Sequence, residues 1–138
     1  MALDGIVLKM LLKEHLASPF QDPILTLGRQ AVIVTLDFAR QILREHGITP
    51  VPLPADEPID DVKYTVFTDQ GPTHPMLDHA FFKLLGLTEL HAMDVSNYEG
   101  ADIVADLNQP VDSKFDDHFN AIIDSGTIEH VFNIGQSL

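Results

Sequence analysis

The chain contains no cysteine. That absence excludes a disulfide framework, a thiolate zinc site and a cysteine nucleophile, and it fits a reducing cytoplasm. Basic residues are scarce, with Lys and Arg numbering 8 against 21 Asp and Glu, for a formal net charge of −13. No apolar run approaches the length of a membrane span. The first residues, where Asp4, Lys9 and Lys13 interrupt the apolar positions, lack the charged-then-apolar order of a secretory signal, so the expected location is cytoplasmic. Internal repeats and low-complexity tracts are missing, as are a phosphate-binding P-loop and a nucleophile elbow. The histidines (His15, His46, His74, His79, His91, His118, His130) show no metal-ligand spacing, His74 with Asp78 and His79 being the nearest grouping, and no metal is expected.

What is present is enough for a core. The 138 residues are 45% hydrophobic, with a mean hydropathy of +0.08, which predicts one globular domain over residues 1–138. The charge is uneven. Residues 1–50 hold five acids and five bases, whereas the rest hold 16 acids and three bases. Such a surface repels phosphate backbones and anionic lipid, so neither nucleic acid nor membrane is an expected partner. A cationic ligand would be tolerated; the plainer role of the acids is to keep the chain soluble.

Along the chain, residues 3–17 predict a packing helix with Ile6, Val7, Met10, Leu11 and Leu16 on its inner face, ended by Ser18-Pro19. Pro23 to Gly28 reads as a buried strand running into a glycine turn. A helix through Phe38, Ile42 and Leu43 follows, capped by Thr35 or Asp37 and stopped by Gly47. Residues 49–75 carry six prolines and predict a long excursion with one short strand at Tyr64 to Phe67. A helix around Met76 to Leu85 closes at Gly86. The periodicity then shifts to three short apolar runs, each ending in an acid: Glu89 to Asp94, Ala101 to Asp106 and Phe119 to Asp124. Runs of this kind suggest strands of a mainly parallel sheet in an α/β fold.

In open parallel sheets the ligand crevice lies beyond the carboxyl ends of the strands. Gly28, Asp94, Asp106 and Asp124 occupy four successive predicted strand ends, so the fold would gather them on one rim. Glycine permits a tight turn and close backbone approach, and a carboxylate at the second strand end can accept from two adjacent ribose hydroxyls. Singly, each residue is more often an ordinary turn, cap or loop residue; their order along the chain is what points to a nucleoside.

The segment from Asp94 to Pro110, followed by Phe119-Asn-Ala-Ile-Ile-Asp-Ser-Gly-Thr-Ile-Glu-His-Val-Phe132, closely resembles class I S-adenosylmethionine-dependent methyltransferases. Leu25-Thr-Leu-Gly-Arg-Gln30 looks like a variant of their opening motif. The resemblance runs from about Pro23 onward and implies a Rossmann-like, mainly parallel sheet with flanking helices, the first half of that fold, in strand order 3-2-1-4. It implies S-adenosylmethionine as cofactor. Gly28 would approach its methionine part, Asp94 would hold the ribose hydroxyls, and Asp106 with the Leu107 backbone would receive the adenine amino group. Asp124 would sit near the sulfonium. His130 would face the acceptor as general base, or simply pack or cap at a helix start.

Three features depart from the family pattern. Arg29 and Gln30 stand where the opening loop usually has glycines, Asn120 stands where an Asp often begins the fourth strand, and the proline-rich stretch 49–75 separates the first two strands. The aromatics Tyr64, Phe67, Phe81 and Phe82 are either a lid over an acceptor or core. Methyl transfer discharges a sulfonium cation in one in-line displacement, so such a site needs orientation and a base and no metal. The acceptor class implied is a small molecule or glycan. The contrasting expectation is a non-catalytic α/β module acting through a partner chain. Because family sheets continue beyond a fourth strand, the fourth-strand edge predicts self-association or a missing C-terminal half.

Overall fold

A computed structural model describes residues 2–68 and 71–137; residues 69 and 70 of the proline-rich stretch, and the two terminal residues, lie outside the described set. The elements are β1 (Ala2–Leu3), α1 (Gly5–Ala17), β2 (Ile24–Leu27), β3 (Ala31–Val32), α2 (Leu36–Glu45), β4 (Val66–Thr68), β5 (Gly71–Thr73), β6 (Met76–Leu77), α3 (Asp78–Leu84), β7 (Leu90–Asp94), β8 (Ile103–Val104), β9 (Ala121–Ile123) and α4 (Ile134–Ser137), with 3-10 turns at Ser113–Phe115 and Ile128–His130. They form two compact units. A sheet unit comprises Phe20–Arg29 with the described residues from Glu89 onward; a helical unit comprises Ala2–Pro19 with Gln30–Thr88. The departure from the first strand is therefore wider than residues 49–75.

The sheet unit is built on four strands in the order β8-β7-β2-β9, every neighbouring pair parallel. The chain is thus mixed α/β with an all-parallel sheet, compatible with a Rossmann-like fold. All four β2 residues are buried, as befits a parallel strand covered on both faces. The polar one among them, Thr26, is accommodated because its Oγ1 donates to the His91 carbonyl at 3.3 Å. Leu25, Leu27 and Met93 form a small core under partly buried Ile103, Phe115, Phe119 and Ile128, with Phe115 and Phe119 stacked at 6.0 Å. At the edge, β9 pairs, among the described residues, with β2 alone, and Ile122 is 62% exposed. Residues 95–102 join β7 to β8 without a helix, a shorter span than the dozen or so residues a parallel crossover usually takes.

The helical unit corrects the reading of α1. Its buried residues are Leu8 and Leu12, one turn apart, whereas Ile6 and Met10, expected inside, are 72% and 62% exposed, and Leu16 is exposed as well. This helix is apolar nearly all round, so periodicity alone could not choose the inner face. Asp4 caps it, its Oδ1 accepting the Ile6 and Val7 amides at 2.9 Å. Thr35 caps α2 through the Phe38 amide, and Gly47, at φ +75°, follows its end. In α3, Phe81 and Phe82 are fully buried and meet edge to face at 5.6 Å. Asp78 is buried too, with Oδ2 accepting the Gln30 amide and Oδ1 the His79 amide.

The short strand expected at Tyr64 to Phe67 lies at Val66–Thr68, where β4 pairs antiparallel with β5; β1, β3 and β6, beyond the expected strands, form a three-stranded sheet. The proline-rich stretch is tied down at Glu57, whose carboxylate takes both hydrogen bonds from Lys83 Nζ, at 2.8 and 2.7 Å. Of the four aromatics, Phe81 and Phe82 are core, while Tyr64 and Phe67 are exposed, the latter 84%. Among the described residues no helix is long and apolar enough to cross a membrane.

Candidate functional site

Because the four strands run parallel, their carboxyl ends share one rim of the sheet unit. Gly28 follows β2 directly at φ +75°, and its amide donates to the Met93 carbonyl at 2.7 Å. A side chain would be strained at that φ. Asp94 is the last residue of β7. Asp106 lies just past β8, and Asp124 immediately follows β9.

Four of the six residues singled out from the sequence surround one cavity of about 230 Å³. Asp94, Asp106, Leu107 and His130 line it, together with Val95, Ala105, Asn108, Thr127 and Val131; Gly28 and Asp124 do not. Compared with the roughly 300–1,000 Å³ of a drug-sized ligand site, the space suits a group of nucleoside size.

The two carboxylates on its wall are partly engaged. Asp94 Oδ1 accepts the Val95 amide at 2.6 Å, and among the described residues Oδ2 has no partner. Asp106 Oδ1 accepts the backbone and side-chain amides of Asn108, both at 2.9 Å. The Asn108 amide, then its side chain, hold the Asp106 carboxyl below the usual carboxylate range against a small opposing effect of burial. Asp106 is therefore an anion at neutral pH with acceptor capacity to spare. Asn108 in turn accepts the Asn133 amide through Oδ1 at 2.9 Å, linking the β8 loop to the segment beyond the last 3-10 turn.

Asp124 has a different task. Its Oδ1 accepts the Gly126 and Thr127 amides at 3.1 and 2.7 Å, and Oδ2 accepts the Ile128 amide at 3.3 Å. It organises the residues leading into the 3-10 turn Ile128–His130. His130 is carried on that turn with its side chain 79% exposed and Nε2 3.5 Å from Glu129 Oε1.

Residues that the sequence reading did not single out complete the wall. Thr127 reaches across the rim, its Oγ1 donating to the Leu27 carbonyl at 2.7 Å. Val95 and Val131 supply apolar surface. Their only sequence signal is position: each directly follows a residue already singled out at the rim. Asn120, the departure at the start of the fourth strand, donates from Nδ2 to the Asp22 carbonyl and from its amide to the Pro23 carbonyl.

The bulky residues of the opening loop do not fill the cavity. Arg29 turns to Gly100 and Asp102, and Gln30 is buried within the helical unit. The lining combines two carboxylates, the polar Asn108, Thr127 and His130, and the apolar Val95, Ala105, Leu107 and Val131, a set with acceptors for hydroxyls and an amine and apolar surface for a flat ring, as an adenosine group requires. Among the described residues no three His, Asp or Glu side chains are grouped to hold a metal ion. Comparison with protein-family models, curated proteins and solved structures finds no match to this chain.

Proposed function

We propose that the chain binds S-adenosylmethionine at the rim of its parallel sheet and belongs to a methyltransferase acting on a small-molecule or glycan acceptor. The observation that carries this reading is the placement of Asp94, Asp106 and Leu107, from two successive strand ends, around a single nucleoside-sized cavity with His130 at its margin. In this reading Asp94 Oδ2 takes the ribose hydroxyls. Asp106 and the Leu107 backbone take the adenine amino group, and Val95 and Val131 enclose the ring.

Gly28 lets the backbone turn where the methionine part would lie. Asp124 serves indirectly, through the turn that carries His130. When bound, the cofactor supplies an activated methyl group on a sulfonium; the chain orients it, and His130 receives the proton released by the acceptor. An exposed histidine can exchange that proton with solvent.

A second reading, a non-catalytic module, draws on one observation: Asp124, expected at the sulfonium, is occupied by three backbone amides. Calorimetric titration with S-adenosylhomocysteine separates the two. Saturable heat is expected for the nucleoside site, and no heat at millimolar ligand overturns it.

A further inference from the structure

Arg29, which stands where the opening loop of the resembling family has a glycine, is engaged within the sheet unit. Its Nη2 donates to the Gly100 carbonyl at 3.0 Å and to Asp102 Oδ1 at 3.4 Å. Asp102 is itself a hub. Oδ1 also accepts the Ala92 amide at 2.7 Å, and Oδ2 meets His91 Nδ1 at 2.5 Å. One guanidinium and one carboxylate thus connect the end of β2, the middle of β7 and the last part of the loop 95–102.

That loop needs an external hold. Residues 95–100 are all exposed, no helix packs it down, and a segment poor in buried contacts opens locally at little cost. Yet it begins at Val95, whose amide fixes Asp94 Oδ1 and whose side chain walls the cavity. The Arg29 side chain is 22% exposed and that of Asp102 42% exposed, so the ion pair alone is worth little and the hold comes from the guanidinium bonding Gly100 and Asp102 together. A guanidinium can serve two acceptors at once in a fixed geometry, which a lysine ammonium does less well.

We propose that Arg29 is a positioning residue: by holding Gly100 and Asp102 it sets the course of loop 95–102, and with it the Asp94 and Val95 edge of the cavity that receives the nucleoside. A side chain in the opening loop then does at a distance what glycines do by permitting close backbone approach. The inference rests on the nucleoside reading of the cavity.

The test compares wild type with Arg29→Met, Arg29→Lys and Arg29→Gly by amide hydrogen exchange of residues 95–102 and by S-adenosylhomocysteine titration. Arg29→Met and Arg29→Gly are expected to speed exchange in the loop and to weaken binding about tenfold, the loss of one charged hydrogen bond. Arg29→Lys is expected to recover part of both. Unchanged loop exchange in Arg29→Met, or faster exchange with unchanged affinity, overturns the proposal. So does an Arg29→Gly protein that binds as tightly as wild type, since the arginine would then be a merely tolerated substitution. Absence of heat with wild type would overturn the nucleoside reading and the affinity half of the proposal, with loop exchange still deciding whether Arg29 holds the loop.

Discussion

Thr127 Oγ1 donates to the carbonyl of Leu27 at 2.7 Å, joining residues a hundred positions apart. The bond fastens the turn after β9 to the end of the central strand, and Thr127 lines the cavity as well. Thr127→Val keeps the shape and removes the donor, so it is expected to cost about 1 kcal/mol. Thr127→Ser should keep most of it. Urea unfolding of the three proteins checks this, and a valine variant as stable as wild type would contradict the role given to the hydroxyl.

Asp94→Asn replaces one acceptor oxygen by a donor and removes the charge. Hydrogen bonds to charged groups are worth about 1.5–3 kcal/mol, so affinity for S-adenosylhomocysteine should fall roughly ten- to a hundredfold or more. Asp112→Asn is the control for a general charge effect. Asp112 accepts the Lys114 amide at a 3-10 turn and does not line the cavity. Calorimetry should show a large loss for the first variant and little for the second; equal losses would remove Asp94 from the ribose site.

Acid should weaken both units for different reasons. Burial pushes the Asp102 carboxyl up, but the Ala92 amide, the His91 ring and its own amide together hold it below the usual range. Its folded value lies below its unfolded one, so its contribution is present above about pH 4 and is lost as pH falls through the folded value. Asp102→Asn should therefore be less stable near neutrality and show a flatter loss between about pH 5 and 3. Burial lowers His15, so the native state binds fewer protons there. Its cost sets in as pH falls below about 6.5, and His15→Gln should remove that part of the slope. Denaturant midpoints measured across pH test both signs.

The aromatics of the helical unit should divide sharply. Phe82 is fully buried against Phe81, and Phe82→Ala is expected to cost about 3–5 kcal/mol. Phe67 is largely exposed, and Phe67→Ala should shift stability by no more than about 0.5 kcal/mol. Thermal unfolding of the two variants is sufficient to distinguish them.

These contrasts show what was legible in the sequence. The three apolar runs ending in acids marked real strands, because a short continuous apolar segment closed by a polar residue has few other buried forms. Asp94 and Asp106 could be placed on one rim because parallel strands put their carboxyl ends on one side, whereas Leu107 and His130 came from the family resemblance alone. Strand lengths were overestimated: Ala101 to Asp106 shrinks to Ile103–Val104, and the acids on either side are engaged in side-chain bonds, Asp102 with Ala92 and His91 and Asp106 with Asn108. The two-residue strands β1, β3 and β6 were not legible at all, since their pairing depends on distant segments rather than on local pattern. The inner face of α1 was misread because Ile6 and Met10 are as apolar as Leu8 and Leu12. For Asp124 the sequence offers both a cofactor contact and an ordinary turn or cap role; in the structure its carboxylate accepts three backbone amides of the turn that follows it.

The division into units has an electrostatic consequence. The sheet unit holds eleven of the acids and, for bases, only Arg29 and Lys114. An excess of one charge repels itself, and a dissolved salt screens that repulsion over a distance of about 10 Å at 0.1 M. Ionic strength therefore acts on this unit in opposite directions: it eases the repulsion among its excess carboxylates while loosening the Arg29–Asp102 pair beside the cavity. A buffer chosen to keep the chain comfortable in solution is also setting how firmly the edge of its cavity is held.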